Sequence, residues 1–162
     1  MTPGDRLALL QDLYRDKAAL RRRHEAGAAR VAAYDANNAY QFALEREAAH
    51  LEWLRRAIAA MGASPAEPDE APSLPAVAGA DAARAVAEED ARLAAAFVDR
   101  WRARVEAFSQ ARDRKMLDLM IGEVQEHQRF FSLAASGSTD LLGRRPEGSG
   151  TGGGVLPARW VG

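Results

Sequence analysis

Apolar residues recur every three or four positions along most of the chain, which is the spacing of one face of an α-helix. Ala, Leu, Arg and Glu fill most positions and β-branched residues are few, and this composition also favours helices over strands. The sequence therefore predicts one all-α domain over residues 1–135, followed by a Gly-rich tail over residues 136–162. The four predicted helices lie at residues 4–34, 38–61, 81–108 and 112–135.

The connections between the predicted helices differ in length. Asp35, Asn37 and Asn38 are turn and helix-cap residues, so they predict a short turn between the first two helices. Residues 62–80 are rich in Pro, Ala, Ser and acidic residues, which is typical of an extended linker. Two short connections and one long one predict two antiparallel hairpins, joined by a crossover that runs the length of a four-helix bundle. The repeat of ARVAAY as ARVEAF supports two related hairpins, although coincidence in an Ala- and Arg-rich chain explains it equally well.

Two pairs of polar residues interrupt the apolar faces of the second and fourth helices. Glu47 and His50 form one pair, and Glu123 and His127 form the other. Because burial of a lone carboxylate is costly, each Glu needs a cation or a hydrogen-bonded partner. Both pairs lie near the middle of their helices, so packed hairpins bring them to about the same level. Carboxylate oxygen with imidazole nitrogen suits Fe, Mn or Zn better than Ca or Mg, which predicts a metal site. A buried Glu–His network without metal remains the alternative.

The Glu47-x-x-His50 motif, on the second helix of a bundle with a long crossover, resembles the ferritin-like and rubrerythrin-like di-iron carboxylate proteins. Each half of such a bundle supplies one Glu from its first helix and a Glu-x-x-His motif from its second. Glu123 and His127 match the motif more loosely, because they are four residues apart. The resemblance implies two bound Fe ions and oxidation of Fe(II) by oxygen or peroxide, as a ferroxidase or a peroxide-reducing enzyme. Mn or Zn are the other metals that these ligands favour.

The first and third helices offer less complete ligands for such a site. Layering across the predicted turn places His24 level with Glu47, at a position where the resemblance implies a Glu. Asp90 is the only acid on the apolar face of the third helix, about one turn beyond the level of His127. His24 and Asp90 are therefore candidate supplementary ligands. A site with more imidazole and fewer carboxylates, or a bundle that has lost its metal, both remain open.

Charge and composition exclude several other classes of protein. The net charge of −1 gives no electrostatic reason to expect nucleic acid or an anionic membrane as a partner. Cysteine is absent, which excludes disulfides, thiolate metal sites and iron–sulfur clusters in this chain. No apolar stretch approaches the roughly 20 residues that span a bilayer, and the N-terminal residues do not resemble a signal peptide. We therefore expect a cytoplasmic protein.

The tail combines a flexible glycine segment with the apolar end VLPARWVG. A Trp in such a segment predicts docking, either on the chain's own bundle, on a second subunit or on another protein. In layout alone, this tail resembles the shell-docking tails of encapsulated ferritin-like cargo. Because Trp53, Phe131 and the tail need cover, we expect a homo-oligomer, with a dimer as the first choice. The function that competes with a di-iron protein is a metal-free helical bundle whose tail docks on a partner.

Overall fold

A computed structural model describes residues 1–139 and 141–142, and these residues form four α-helices, two short 3-10 helices and no strand. The all-α helical bundle predicted from the sequence is therefore confirmed. No helix among the described residues is long and apolar enough to cross a membrane. The α-helices are α1 Pro3–Ala28, α2 Tyr34–Ala59, α3 Ala82–Arg102 and α4 Ala111–Ala135, and the 3-10 helices are Gly79–Asp81 and Val105–Ala107. The apolar end of the tail lies outside the described residues.

The first interhelical turn lies nearer the N-terminus than the sequence pattern indicates. Helix α1 ends at Ala28 instead of residue 34, and α2 begins at Tyr34 instead of residue 38. The polar residues expected in the turn therefore occupy the first turn of α2. From there the Asn37 side chain donates hydrogen bonds to the carbonyl oxygens of Ala28 (3.3 Å) and Val31 (3.1 Å). Asn37 thus ties the end of α1 to the first turn of α2 and closes the turn between them.

Helix α1 packs against both α2 and α3, and α4 packs against both α3 and α2. Asp16 contacts Trp101 in α3, and Arg23 contacts Asp90 in the same helix, so α1 and α3 run in opposite directions. The 3-10 helix Val105–Ala107 follows the end of α3, which therefore stops six residues before its predicted end at residue 108.

The segment between α2 and α3 has no helix from residue 60 to residue 78. Its polar contacts follow α1 from Gln11 to Arg22. The Gln11 amide donates to the Ser64 carbonyl (2.7 Å), and the Arg22 guanidinium donates to the Pro68 carbonyl (2.8 Å). The segment is therefore held against α1 over about three helical turns, since one turn contains about 3.6 residues.

Two large apolar clusters fill most of the bundle, one toward each end, with polar side chains between them, and a small third cluster contains Ala39, Phe130 and Leu141. Phe131 belongs to the second cluster and is fully buried, with its ring centroid 4.6 Å from that of Tyr40. The chain itself covers Phe131, so this side chain gives no reason to expect a second subunit. The first cluster includes Leu10, Leu13, Leu54, Ile58, Phe97, Trp101, Leu117 and Met120. The second includes Val31, Tyr40, Ala43, Leu44, Val86 and Phe131.

Gly27 of α1 lies against side chains of both α2 and α3. A Cβ atom at this position would lie 2.8 Å from the Asp90 carboxylate, 3.1 Å from Val86 and 3.2 Å from Tyr40. All three neighbours are buried and held by their own contacts. The close approach of the three helices therefore depends on a glycine at position 27.

We expect Gly27→Ala to lower the free energy of unfolding by about 1–3 kcal/mol, because overpacking of a filled core costs this much. Gly122→Ala is the matched control, since Gly122 is also inside a helix but nothing lies within 4 Å of an added Cβ. Because alanine has a higher helix propensity than glycine, Gly122→Ala should stabilise the protein by about 1 kcal/mol. Urea unfolding of both variants measures the difference. Equal stabilisation by both substitutions would contradict the close packing at Gly27.

Candidate functional site

Ionisable side chains from all four helices lie buried between the two apolar clusters. They make three groups, each centred on one carboxylate. The buried members are Lys17, Arg23 and His24 from α1, Glu47 and His50 from α2, Asp90 from α3 and His127 from α4. The half-buried Glu123 of α4 completes the set. All six residues predicted from the sequence as metal ligands are therefore in this polar centre, together with two cations that the sequence analysis missed.

The first group is centred on Glu47 and Lys17. The Lys17 ammonium donates to Glu47 Oε1 at 2.8 Å, and both side chains are 0% exposed. Lys17 Nζ also lies 5.3 Å from the centroid of the Phe97 ring, within the range of a cation–π contact. The ammonium is therefore buried with its charge compensated by one carboxylate and with an aromatic ring nearby.

Two histidines complete the group around Glu47. His24 Nδ1 donates to both carboxylate oxygens at 3.0 Å, which confirms that His24 and Glu47 lie at the same level. His127 Nδ1 lies 4.0 Å from Glu47 Oε1, beyond hydrogen-bond distance. Because α2 and α4 face each other across this contact, the predicted approach of Glu47 and His127 is also present.

Burial and charge shift the pKa values of the buried residues in this centre, and for Glu47 the two effects oppose each other. Burial on its own raises the pKa of Glu47, but His24 and Lys17 outweigh it and hold that pKa well below its ordinary value. Burial lowers the pKa of His127 to about 3 and that of His50 to about 4. Glu47 is therefore an anion at neutral pH, while His50 and His127 are neutral.

The second group is centred on Glu123, at the edge of the bundle. His50 Nε2 donates to Glu123 at 2.6 Å, and Arg46 Nε donates to the same carboxylate at 3.0 Å. The Glu123 side chain is 22% exposed, because Val124 takes the fully buried position on this side of α4. His50 therefore pairs with Glu123 of the other hairpin, although the sequence pattern groups it with Glu47.

The third group is centred on Asp90. The Tyr40 hydroxyl donates a short hydrogen bond to Asp90 Oδ2, and Arg23 Nε lies 3.3 Å from Asp90 Oδ1. Burial raises the pKa of Asp90 despite its basic neighbours, and that of Tyr40 as well. Asp90 is thus held by Tyr40 and Arg23, and the charges of His24 and Glu47 act on it as well.

This arrangement lacks the uncompensated carboxylates that a di-iron centre uses. Each of the three carboxylates already faces a protein cation: Lys17 beside Glu47, Arg46 beside Glu123 and Arg23 beside Asp90. Two divalent ions need several carboxylates whose charge is not already compensated. Within residues 1–139 and 141–142, no group of three or more His, Cys, Asp or Glu side chains is arranged to hold a metal ion.

Lys17 supplies the positive charge beside Glu47. It was not among the site residues predicted from the sequence. Its position follows the buried spacing of α1, four residues after Leu13 and three before Leu20. Lysine is almost never fully buried without a partner, so its residue type alone places it on the surface. The sequence feature that indicates the burial of Lys17 is its spacing, which puts it on the same face of α1 as His24.

Four imidazole nitrogens in the centre have no hydrogen-bond partner among the described residues. They are His24 Nε2, His50 Nδ1 and both ring nitrogens of His127. Buried polar atoms without partners are costly, so each of these positions favours contact with a water molecule or another small ligand.

Comparison of the chain with protein-family models, with characterised proteins and with solved structures finds no match in any of the three.

Proposed function

We propose that this protein is a helical-bundle binding module whose polar centre is a structural ion-pair network closed by Lys17. The proposal rests on one observation, the contact of 2.8 Å between the Lys17 ammonium and Glu47 in a fully buried environment. In a di-iron protein a metal ion supplies the positive charge beside such a Glu. Here a side chain of the chain itself stands in that position.

Charge balance supports this interpretation. A metal ion that bound Glu47 would have to displace the ammonium, which would then be buried without its counter-ion. An unpaired buried charge costs several kcal/mol, by the penalty of roughly 3–5 kcal/mol for breaking a buried ion pair. Metal binding at Glu47 therefore competes against a stable internal pair.

The experiment that tests this proposal is anaerobic reconstitution with Fe(II), followed by desalting and elemental analysis. We expect iron well below one equivalent per chain, and the same content in Glu47→Gln. Glu45→Gln is the matched control, because Glu45 is exposed on the same helix. One or more equivalents that Glu47→Gln abolishes and Glu45→Gln retains would overturn the proposal.

The binding role is supported by apolar residues on the surface and in the tail. Phe42 is 45% exposed and Leu119 is 49% exposed, although both are large apolar side chains. The tail adds Leu156 and Trp160 after a glycine-rich segment. Burial of a Leu side chain provides about 1.5–3 kcal/mol, so these residues can supply the affinity of a docking contact.

We predict that the tail holds a second copy of the chain. Deletion of residues 148–162 should leave the helical content unchanged, but convert a dimer into a monomer in light scattering. Trp160→Ala in the full chain should weaken the dimer in the same direction. A full chain that is monomeric at high concentration, or a truncated chain that remains dimeric, would contradict this prediction.

A ferritin-like metal protein that oxidises Fe(II) remains the competing proposal. It is favoured by His127, whose two ring nitrogens are buried and have no hydrogen-bond partner within residues 1–139 and 141–142, as expected of a residue that meets a ligand. The position of residues 60–78 beside α1 is compatible with the long crossover of such bundles. Because Lys17 and Arg46 compensate the two Glu side chains, we rank this function second.

A further inference from the structure

An open groove of about 630 Å³ lies between α2 and α4, at the end of the bundle where α2 ends and α4 begins. Its apolar lining consists of Trp53, Ala57 and Ala60 on one side and Met116 and Leu119 on the other. Leu119 is 49% exposed, and Trp53 and Met116 are half-buried. Because these side chains leave apolar surface in water, the groove favours contact with another apolar surface.

The walls of the groove are the faces of two neighbouring helices. The lining residues run from Trp53 to Ala57 along α2 and from Arg112 to Leu119 along α4, at spacings of three or four positions. Along α4 this stretch is about two helical turns. A third helix packs between two others through side chains at the same spacing. The shape of the groove therefore fits one face of an amphipathic helix.

Two cations at the edge of the groove are without a partner. Arg112 and Lys115 line it and are exposed, and within residues 1–139 and 141–142 neither makes an ion pair or a side-chain hydrogen bond. The other charged residues of the lining, Arg6, Asp113 and Arg56, all lie in ion pairs. The groove is therefore positively charged, although the whole chain has a net charge of −1.

The charge of the groove distinguishes between the partners that could cover it. A two-fold symmetric contact with a second copy would bring two positive grooves together, which is unfavourable. Residues 143–162 contain three arginines and one acid, so the tail is also positively charged. A negatively charged helix has neither disadvantage, because the two free cations attract it.

We propose that the groove binds an acidic amphipathic helix of another protein. The apolar face of that helix packs against Trp53, Met116 and Leu119, and its carboxylates pair with Arg112 and Lys115. This inference rests on the proposed binding function, but it concerns a different surface from the tail. Iron content and light scattering test the proposed function without using the groove, so either proposal can fail without the other.

The probe is a synthetic helix of about 15 residues, or roughly four turns, that a covalent staple holds helical. Leu residues fill one face and Glu residues the other, and the control peptide has Lys at each Glu position. Isothermal titration of the full chain at pH 7.5 should show saturable binding of the Leu–Glu helix and at least about tenfold weaker binding of the Leu–Lys helix. Equal affinities, or no saturable binding of the Leu–Glu helix, would overturn the proposal.

Charge reversal tests whether Arg112 and Lys115 attract the partner. The double variant Arg112→Glu and Lys115→Glu should bind the Leu–Glu helix at least about tenfold more weakly and the Leu–Lys helix more tightly than the original chain does. Both positions are near the start of α4, where the helix dipole favours Glu, so the variant should fold normally. Arg30→Glu is the matched control, because Arg30 is exposed at the other end of the bundle, and its peptide binding should be unchanged. An unaltered peptide preference in the double variant would contradict the proposal.

A second pair of variants tests the apolar contact. Leu119→Gln should weaken binding of the Leu–Glu helix by about tenfold or more, because the burial of a Leu side chain is lost. Leu142→Gln is the matched control, since Leu142 is 48% exposed beyond the C-terminal end of α4, and it should bind the helix normally. Unchanged binding in Leu119→Gln would overturn the proposal. Binding to phosphatidylserine vesicles in preference to the peptide would also overturn it, and would assign this face to a lipid surface.

Discussion

Replacement of Lys17 by Met should lower the free energy of unfolding by about 3–5 kcal/mol, the cost of removing one partner from a buried ion pair. Methionine has a similar length and fills the same apolar surroundings, so the loss comes from the charge and not from a cavity. The reason is that Glu47 keeps its charge while its 2.8 Å contact with the ammonium disappears. Urea unfolding at pH 7.5, with circular dichroism as the probe, measures the change.

Two controls separate the ion pair from other effects of the substitution. Lys17→Met combined with Glu47→Gln removes both charges and should recover most of the stability, so the two single changes should be strongly non-additive. Arg15→Met removes an exposed cation whose side chain is 47% exposed beside Asp12, and it should cost no more than about 0.5 kcal/mol. A loss below about 1 kcal/mol in Lys17→Met would show that this pair does not stabilise the fold.

Acidification should destabilise the protein well above the pH at which carboxylates titrate. His50 has a folded-state pKa of about 4 and His127 of about 3, whereas an unfolded histidine has a pKa near 6.5. The unfolded chain therefore binds more protons below pH 6.5, and stability decreases as the pH falls. Each of the two histidines should cost about 2 kcal/mol between pH 7.5 and pH 5, by proton linkage.

The carboxylates change the stability of the protein in a different pH range from the histidines, or in the opposite direction. The lowered pKa values of Glu47 and Glu123 cause a loss only below their ordinary value near 4.5, so they contribute little above pH 5. The raised pKa of Asp90 has the opposite effect, because the folded protein loses stability as the pH rises above 3.8, the ordinary pKa of an Asp side chain. Comparison with His127→Leu cancels these contributions and should give a shallower pH dependence. Identical slopes in the two proteins would show that His127 is not a buried neutral histidine.

The sequence pattern predicts much of the fold because apolar spacing and breaker residues are local properties. Four helices follow from the spacing, and the long connection follows from its Pro content. The contact of His24 with Glu47 follows from the levels of two antiparallel helices. The exact turn does not follow, since Asn37 holds the end of α1 from inside α2, and this choice depends on contacts between two helices.

The ionic partners in the centre are not predictable from the same pattern. The charge of each carboxylate is compensated by a cation on another helix. For Glu123 that cation is Arg46, which belongs to the other hairpin. Residue type places Lys17 and Arg23 on the surface, although their spacing places them inside. Similarly, a shift of one residue in α4 buries Val124 and leaves Glu123 at the edge. The ion pairs of the centre therefore depend on contacts between helices, and the apolar periodicity of single helices does not predict these contacts.

The most direct test of the central claim is anomalous X-ray scattering at the iron edge, from crystals soaked anaerobically in Fe(II). We expect no anomalous peak between Glu47, His24 and His127. We also expect density for the Lys17 ammonium near the 2.8 Å distance from Glu47 Oε1. An iron peak bonded to Glu47, with the Lys17 side chain displaced, would contradict the claim that Lys17 is the cation of this site.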